Sequence, residues 1–154
     1  MKYLLDTCVI SETRKRQPSQ LLLKWLEGVR QADLYVSVIT IGELRSGAHS
    51  VQDADLRNRL ESWVNDCVIP TFGGHFVDFD FTVADRWGAL FGDGVAIGRT
   101  SSVCDSMIAA TALSHGMTLV TRNVSDFNFP GLAVVNPFSA ESISEVLDVR
   151  PERS

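Results

Sequence analysis

The sequence has few cysteines, few lysines and no long apolar run. Its three cysteines (Cys8, Cys67 and Cys104) include no CxxC pair, which argues against a disulfide framework or a cysteine zinc site. Cys8 and Cys104 are predicted to be small buried side chains near a site. The longest apolar stretches, such as YVSVITI, are far shorter than the roughly 20 residues that span a bilayer. Because MKYLLDT has one lysine and an acid at position 6, we do not expect it to be a signal peptide, and we expect a cytoplasmic protein without a membrane partner.

Basic residues are also scarce. The chain has 19 acidic and 14 basic residues, a formal net charge of −5. Lysine occurs only at Lys2, Lys15 and Lys24. A surface with this balance does not attract nucleic acid as a whole, so any polyanion would have to bind at a local basic patch.

Apolar periodicity predicts strands that alternate with helices. No internal repeat or linker interrupts the 154 residues, so we expect a single domain over 1–154. The alternation implies parallel βαβ units and a three-layer α/β/α fold around a doubly wound sheet. The predicted strands are 2–6, 33–37, 76–80, 118–121 and 132–136, and the predicted helices are 7–14, 19–31, 38–50, 53–66, 81–98, 103–116 and 140–148. Glycines weaken the second half of the helix at 81–98.

Four acidic residues end or follow apolar runs: Asp6, Glu43, Asp105 and Asp126. Open α/β sheets place their ligands at the carboxyl ends of buried strands, where such residues would lie. Each acid also has a structural explanation, as a helix cap, a capping-box member or a turn residue. Their neighbours are small or apolar, however, and a cluster of uncompensated acids is costly unless a cation binds there. Oxygen ligands alone favour Mg²⁺ or Mn²⁺.

Five segments in a fixed order resemble a known family. LLDTCVISE, TIGEL, VCDSMIAATAL, LVTRNVSDF and VVNPF are similar to the motifs of PIN domains, and more narrowly to the VapC/FitB-like ribonuclease toxins of bacterial toxin–antitoxin pairs. The likeness covers a core of about 2–138. It implies a five-stranded parallel sheet flanked by helices. The segment GDGVAIGRTSSV departs from the family because it lacks a longer basic or proline-bearing loop.

The resemblance also implies the site. It places Asp6, Glu43, Asp105 and Asp126 around Mg²⁺ or Mn²⁺, as catalytic residues and metal ligands. Thr121 matches a polar position that supports the metal site, and Arg122 and Asn123 follow it directly.

The expected activity is that of a metal-dependent endoribonuclease. Asp6 and Asp105 would hold the ion, Glu43 would orient or deprotonate a water, and Asp126 would complete the cage or hold a second ion. The predicted contacts to RNA are Thr7, Ser11, Arg14, Lys15 and Arg16, although the three basic residues are equally explained as the solvated end of a helix.

The resemblance implies partners as well: a cognate VapB-like antitoxin, an RNA substrate, a homodimer, and operator DNA bound only through the antitoxin. The surplus of tryptophan, at Trp25, Trp63 and Trp87, also favours self-association. Alternatives are a housekeeping PIN-domain RNase, a non-catalytic interaction module, and a haloacid-dehalogenase-type phosphatase or receiver domain. The phosphatase and the receiver domain both require a lysine late in the chain, and none follows Lys24.

Overall fold

Five short strands form one fully parallel sheet in the computed structural model, which describes residues 1–143. The strands are β1 (Tyr3–Leu5), β2 (Leu34–Ser37), β3 (Phe76–Val77), β4 (Thr118–Val120) and β5 (Val134–Val135). Their order across the sheet is β3-β2-β1-β4-β5. β1 therefore lies at the centre, paired with β2 on one side and β4 on the other.

Seven α-helices connect the strands. They are α1 (Thr7–Thr13), α2 (Gln20–Gly28), α3 (Val38–His49), α4 (Ala54–Trp63), α5 (Ile69–Thr71), α6 (Phe81–Ala96) and α7 (Val103–Ser114). A π-helical turn (Val64–Val68) joins α4 to α5, and 3₁₀ turns cover Gln31–Asp33 and Val124–Phe127. Each of the longer helices begins at an Asp or Ser side chain that accepts a backbone N–H, the local signal that starts a helix. These caps are Asp6, Ser19, Ser37, Asp53, Asp80 and Ser102.

Alternate residues of the central strands face opposite sides of the sheet and create two hydrophobic cores. Leu5 and Val120 pack with Trp25 in the core that lies under α1 and α2. Leu4 and Leu119 point the other way and pack with Ile108 of α7. Because successive side chains of a strand alternate between faces, a strand buried on both sides is apolar throughout. The predicted three-layer α/β/α fold with a five-stranded parallel sheet is confirmed.

Most element boundaries differ from the prediction by a few residues, and three helices show the physical reasons or the limits of the comparison. The glycines at 88 and 92 do not interrupt α6, which continues to Ala96, because its Trp87 and Phe91 stack on each other and Trp87 donates a hydrogen bond to Ser106. The predicted helix 53–66 changes to a π-helical turn after Trp63. Of the predicted helix 140–148, residues 140–143 are helical and the rest lies outside the described residues.

The topology defines where a ligand would bind. From β1 the chain moves outward to β2 and β3, then returns to the other side of β1 for β4 and β5. The switch point of this doubly wound sheet lies between the carboxyl ends of β1 and β4, the position at which such sheets bind ligands. Asp6 and Thr121 directly follow these two strands. In residues 1–143, no helix is long and apolar enough to cross a membrane.

Candidate active site

Asp6 is anchored at the switch point by three backbone and side-chain hydrogen bonds. Its amide donates to the carbonyl of Val120 at 2.9 Å, which continues the pairing of β1 with β4. Its Oδ1 accepts the backbone N–H of Thr7 at 2.8 Å, and its Oδ2 accepts the hydroxyl of Thr121 at 2.7 Å. Asp6 is 5% exposed and Thr121 is fully buried. The carboxylate is therefore held in one orientation, with its charge compensated only by hydrogen bonds.

Glu43 reaches the same site from α3. Ser37 caps this helix at Ile39, so Glu43 lies within the second turn and is not a capping residue. The hydroxyl of Thr7 donates to its Oε1 at 2.7 Å. Burial and the charge of Asp6 raise the pKa of Glu43, although the Thr7 hydroxyl opposes that rise. Thr7 thus connects the two carboxylates, through its amide to one and its hydroxyl to the other.

Asp105 lies in the first turn of α7, where Ser102 caps its amide at 3.4 Å. Burial, followed by the charges of the other three carboxylates, raises the pKa of Asp105 to about 6. Asp126 belongs to the 3₁₀ turn Val124–Phe127 and is exposed. Burial is the larger cause, and the smaller contributions of Asp6, Glu43 and Asp126 are consistent with carboxylates that lie near the same edge of the sheet.

The chemistry of these donors fits a hard divalent cation, although the side chains do not form a closed cage. All four candidate ligands are carboxylates, and oxygen ligands suit Mg²⁺ and Mn²⁺. Among residues 1–143, however, no three acidic, histidine or cysteine side chains lie close enough together to hold a metal ion. Like charges repel one another, and Thr7 lies between Asp6 and Glu43, with its amide bound to one carboxylate and its hydroxyl to the other. A shared ion at Asp6, Glu43, Asp105 and Asp126 stays a prediction.

A polar cleft of about 410 Å³ opens beside the acids. Asp105 and Asp126 lie on its wall, together with hydroxyl and amide side chains and the buried ring of Phe129. One basic residue, Arg99, also lines it.

The two cysteines near the site are not nucleophiles. Burial, then the charge of Asp6, raises the pKa of Cys8, whose thiol donates a hydrogen bond to Asp6 at 3.4 Å. Burial, then Glu43 and Asp105, raises the pKa of Cys104. Both are half-buried thiols beside the acids, and a thiol must ionise to attack.

Lys15, which was predicted to contact RNA, and Arg122, which follows the supporting Thr121, both bind a buried acid that the sequence did not reveal. Glu12 is 5% exposed and accepts Lys15 Nζ at 2.7 Å and Arg122 Nη2 at 3.2 Å. It also accepts the amide of Ser19 at 3.0 Å. These contacts, chiefly that with Lys15, lower the pKa of Glu12. The guanidinium of Arg122 lies 3.9 Å from the ring centre of Phe138. Arg122, which lies just after β4, therefore contacts both Glu12 of α1 and Phe138.

The other predicted contacts lie around the same edge. The Arg14 guanidinium is 6.0 Å from the ring centre of Trp63 and is exposed, as is Arg16. Ser11 is half-buried on α1. The amide of Asn123 donates to Thr121 Oγ1 at 3.0 Å, which orients the hydroxyl that binds Asp6. Their contacts to RNA stay predictions.

Residues 3–128 match the PIN domain family, which is most of the chain. The chain is a PIN domain. The resemblance predicted from the five motifs is confirmed.

The PIN domain has relatives of similar length. It is 34% identical over 135 residues to Toxin FitB of Neisseria gonorrhoeae, covering 88% of this chain and 97% of that protein. It is 33% identical over 135 residues to VapC ribonuclease Y4jK of Sinorhizobium fredii, covering 88% and 96%. It also matches the crystal structure of FitAcB from Neisseria gonorrhoeae with a TM-score of 0.80 and 34% identity, covering 88% of this chain and 98% of that one.

Replacing Asp105 with asparagine should stabilise the PIN domain at neutral pH. The folded state holds the Asp105 proton more tightly than the unfolded chain, because its pKa rises from 3.8 to about 6. Ionisation therefore opposes folding, and stability falls as the pH increases between these values. Allowing for solvent screening, Asp105→Asn should raise the free energy of unfolding by about 1 kcal/mol at about pH 7.5. The gain should vanish at about pH 3, below both pKa values, where both states are protonated.

Urea unfolding in metal-free buffer at the two pH values measures this difference. Asp85→Asn, at an exposed aspartate of α6, is the matched control and should show no pH-dependent gain. Equal stability of Asp105→Asn and the native chain at both pH values would mean that neither burial of this charge nor repulsion by the other carboxylates costs stability.

Proposed function

We propose that this PIN domain is an endoribonuclease that uses Mg²⁺ or Mn²⁺ and acts as the toxin of a toxin–antitoxin pair. The observation that carries the proposal is the group of carboxylates at the switch point: Thr7 binds both Asp6 and Glu43. In support, burial, followed by the charges of the other three carboxylates, raises the pKa of Asp105 to about 6. Its relatives support the same activity, since one bears the name of a toxin and another that of a VapC ribonuclease.

Each carboxylate has a role that follows from its surroundings. Asp6, fixed by Thr7 and Thr121, and Asp105 would hold the cation, and Asp126 would complete the donor set. When bound, the cation would lower the pKa of a water and polarise the phosphate.

Glu43 is suited to receive the proton of the attacking water. Its raised pKa makes it a stronger base than an ordinary glutamate, and Thr7 occupies only one of its oxygens. The water oxygen would bond to phosphorus while the bond to the 3′ oxygen breaks, and the 3′ oxygen would take a proton from solvent. The products would be a 5′-phosphate and a 3′-hydroxyl, without use of the 2′-hydroxyl as nucleophile.

Chelation tests the enzymatic proposal. Purified protein should cleave single-stranded RNA in Mg²⁺ or Mn²⁺ and lose that activity in excess EDTA. The products should be substrates for an exonuclease that requires a 5′-phosphate. Cleavage that persists in EDTA, or products that end in 2′,3′-cyclic phosphates, would contradict the proposed chemistry.

A basic antitoxin segment would suit this surface. An arginine could pair with Asp6, Glu43 or Asp105 and compete with the cation. An apolar cleft of about 330 Å³, lined by residues such as Val9, Leu26 and Trp63, could accept an apolar helix of the same partner. Operator DNA would be bound only through the antitoxin, in keeping with the net charge of −5.

Self-association as a homodimer stays a prediction, and the tryptophans support it less than expected. Trp25 is fully buried and contacts Tyr3 edge-on at 5.2 Å, so it belongs to the core. Trp63 and Trp87 are half-buried.

A further inference from the structure

The chain between α6 and α7 leaves its helix in a defined direction. Gly98 has a φ of +75°, in the left-handed region that favours glycine. The amide of Arg99 donates to the carbonyl of Gly94 at 2.8 Å, and that of Gly98 to Val95 at 3.0 Å. These two hydrogen bonds form a Schellman motif. The backbone of Arg99 is therefore fixed against the end of α6.

This geometry places one cation in the polar cleft. Arg99 is the only basic residue among the described residues that line the cleft, and it shares the wall with Asp105 and Asp126. The remaining polar wall consists of neutral groups that donate hydrogen bonds. They are Thr100, Ser101, Ser102, Ser125 and Asn128.

Arg99 has no anionic partner within the part of the chain that the structure describes. None of the ion pairs within residues 1–143 includes it, and its guanidinium lies 5.5 Å from the ring centre of Phe129. A guanidinium that contacts a ring keeps N–H donors for an anion. Lys15 and Arg122, by contrast, both bind Glu12. Arg99 does not neutralise the nearby Asp105 or Asp126, because it forms no ion pair with either of them.

We infer that Arg99 binds a phosphate of the RNA strand close to the scissile bond, an inference that rests on the proposed ribonuclease function. An RNA strand that enters a cleft lined by carboxylates is repelled by them, and a fixed guanidinium on the wall reduces that repulsion in addition to any bound metal ion. Guanidinium groups bind phosphate oxygens in a bidentate manner, and the surrounding hydroxyls donate to the same backbone. Phosphate contacts position a strand without reading its sequence, so Arg99 sets the register of the strand and not the choice of bases.

The experiment measures RNA binding without cleavage. Arg99→Gln, Arg99→Lys and the control Arg59→Gln, at an exposed arginine of α4 outside the cleft, are each combined with Asp6→Asn. Fluorescence anisotropy with a short labelled single-stranded RNA in Mg²⁺ gives Kd over a series of KCl concentrations. Arg99→Gln should weaken binding about tenfold, as loss of a charged hydrogen bond does. The slope of log K against log salt should decrease in magnitude by about 0.7, the value for one phosphate contact on a single strand.

The slope separates a phosphate contact from a structural role. Arg99→Lys should keep the slope of the Asp6→Asn parent, because the charge remains, and Arg59→Gln should match that parent in affinity. Unchanged affinity in Arg99→Gln, or weaker binding with the parent's slope and a lower Tm, would overturn the inference. Loss of affinity for an acidic partner segment, with RNA binding intact, would also overturn it.

Failure of this inference differs from failure of the proposed function. If the native protein cleaves RNA while Arg99→Gln binds RNA normally, only this inference is wrong. If the native protein neither cleaves nor binds RNA, the proposed function is wrong as well.

Discussion

Replacing Asp6 with asparagine should reduce RNA cleavage by roughly 10³-fold, since a bound metal contributes several kcal/mol to the transition state. The amide keeps the shape of the side chain but removes the negative charge that attracts a cation. Oδ1 can still accept the N–H of Thr7, and the Thr121 hydroxyl can accept from the amide that replaces Oδ2. The fold should therefore survive, with a change in Tm of only a few degrees. Initial cleavage rates at saturating Mg²⁺ and thermal unfolding of the same preparations measure the two effects.

Asp55→Asn provides the matched control for this substitution. Asp55 is an exposed aspartate in the first turn of α4, and its replacement should leave the rate unchanged. Undiminished cleavage by Asp6→Asn would show that the anchored carboxylate is not part of the catalytic centre or that a contaminating nuclease is present.

Expression of the native chain in a bacterial host should stop growth, and co-expression of its genomic neighbour should restore it. An unregulated ribonuclease would damage cellular RNA, whereas a bound partner would block the carboxylates. Optical density and viable counts after induction measure the effect. The expected loss of colony formation is large, because each enzyme molecule turns over many substrate molecules.

Asp6→Asn is also the control for toxicity. It should be harmless at an equal level of protein, while still forming a complex with the neighbour through the apolar cleft. Harmless expression of a native chain that cleaves RNA after purification would remove the toxin role and leave a housekeeping RNase. Toxicity that persists in Asp6→Asn would instead indicate a harmful effect unrelated to RNA cleavage.

Local patterns were sufficient to predict most of the fold. The predicted strands 2–6 and 118–121 contain β1 and β4, because strands buried on both faces are apolar throughout. Ser37 begins α3 as its capping chemistry indicates. The end of α6 was less predictable, since glycine propensity acts locally whereas Trp87 is held by Ser106 of another helix.

The candidate site was predictable only in part. Asp6 could be selected because it directly follows an apolar strand. Asp105 could be selected because it lies in the first turn of a strongly predicted helix. Glu12 could not, because it lies in the polar segment SETRKR and resembles an exposed residue. It is buried because Arg122, 110 residues away, and Lys15 compensate its charge. Arg99 could not be selected either, because a lone arginine in a loop belongs to no motif or periodic pattern.

The sequence by itself determined the order of strands and helices along the chain, the helix caps and the four candidate acidic residues. Each of these depends on residues within a few positions of one another. Only the tertiary structure decided which side chains meet. The Thr121 hydroxyl binds Asp6 across 115 residues, and that of Thr7 binds Glu43 across 36. Such pairs arise when the parallel strands bring their carboxyl ends to one edge of the sheet. The contacts between side chains there depend on how distant helices pack, which hydrophobic periodicity does not encode.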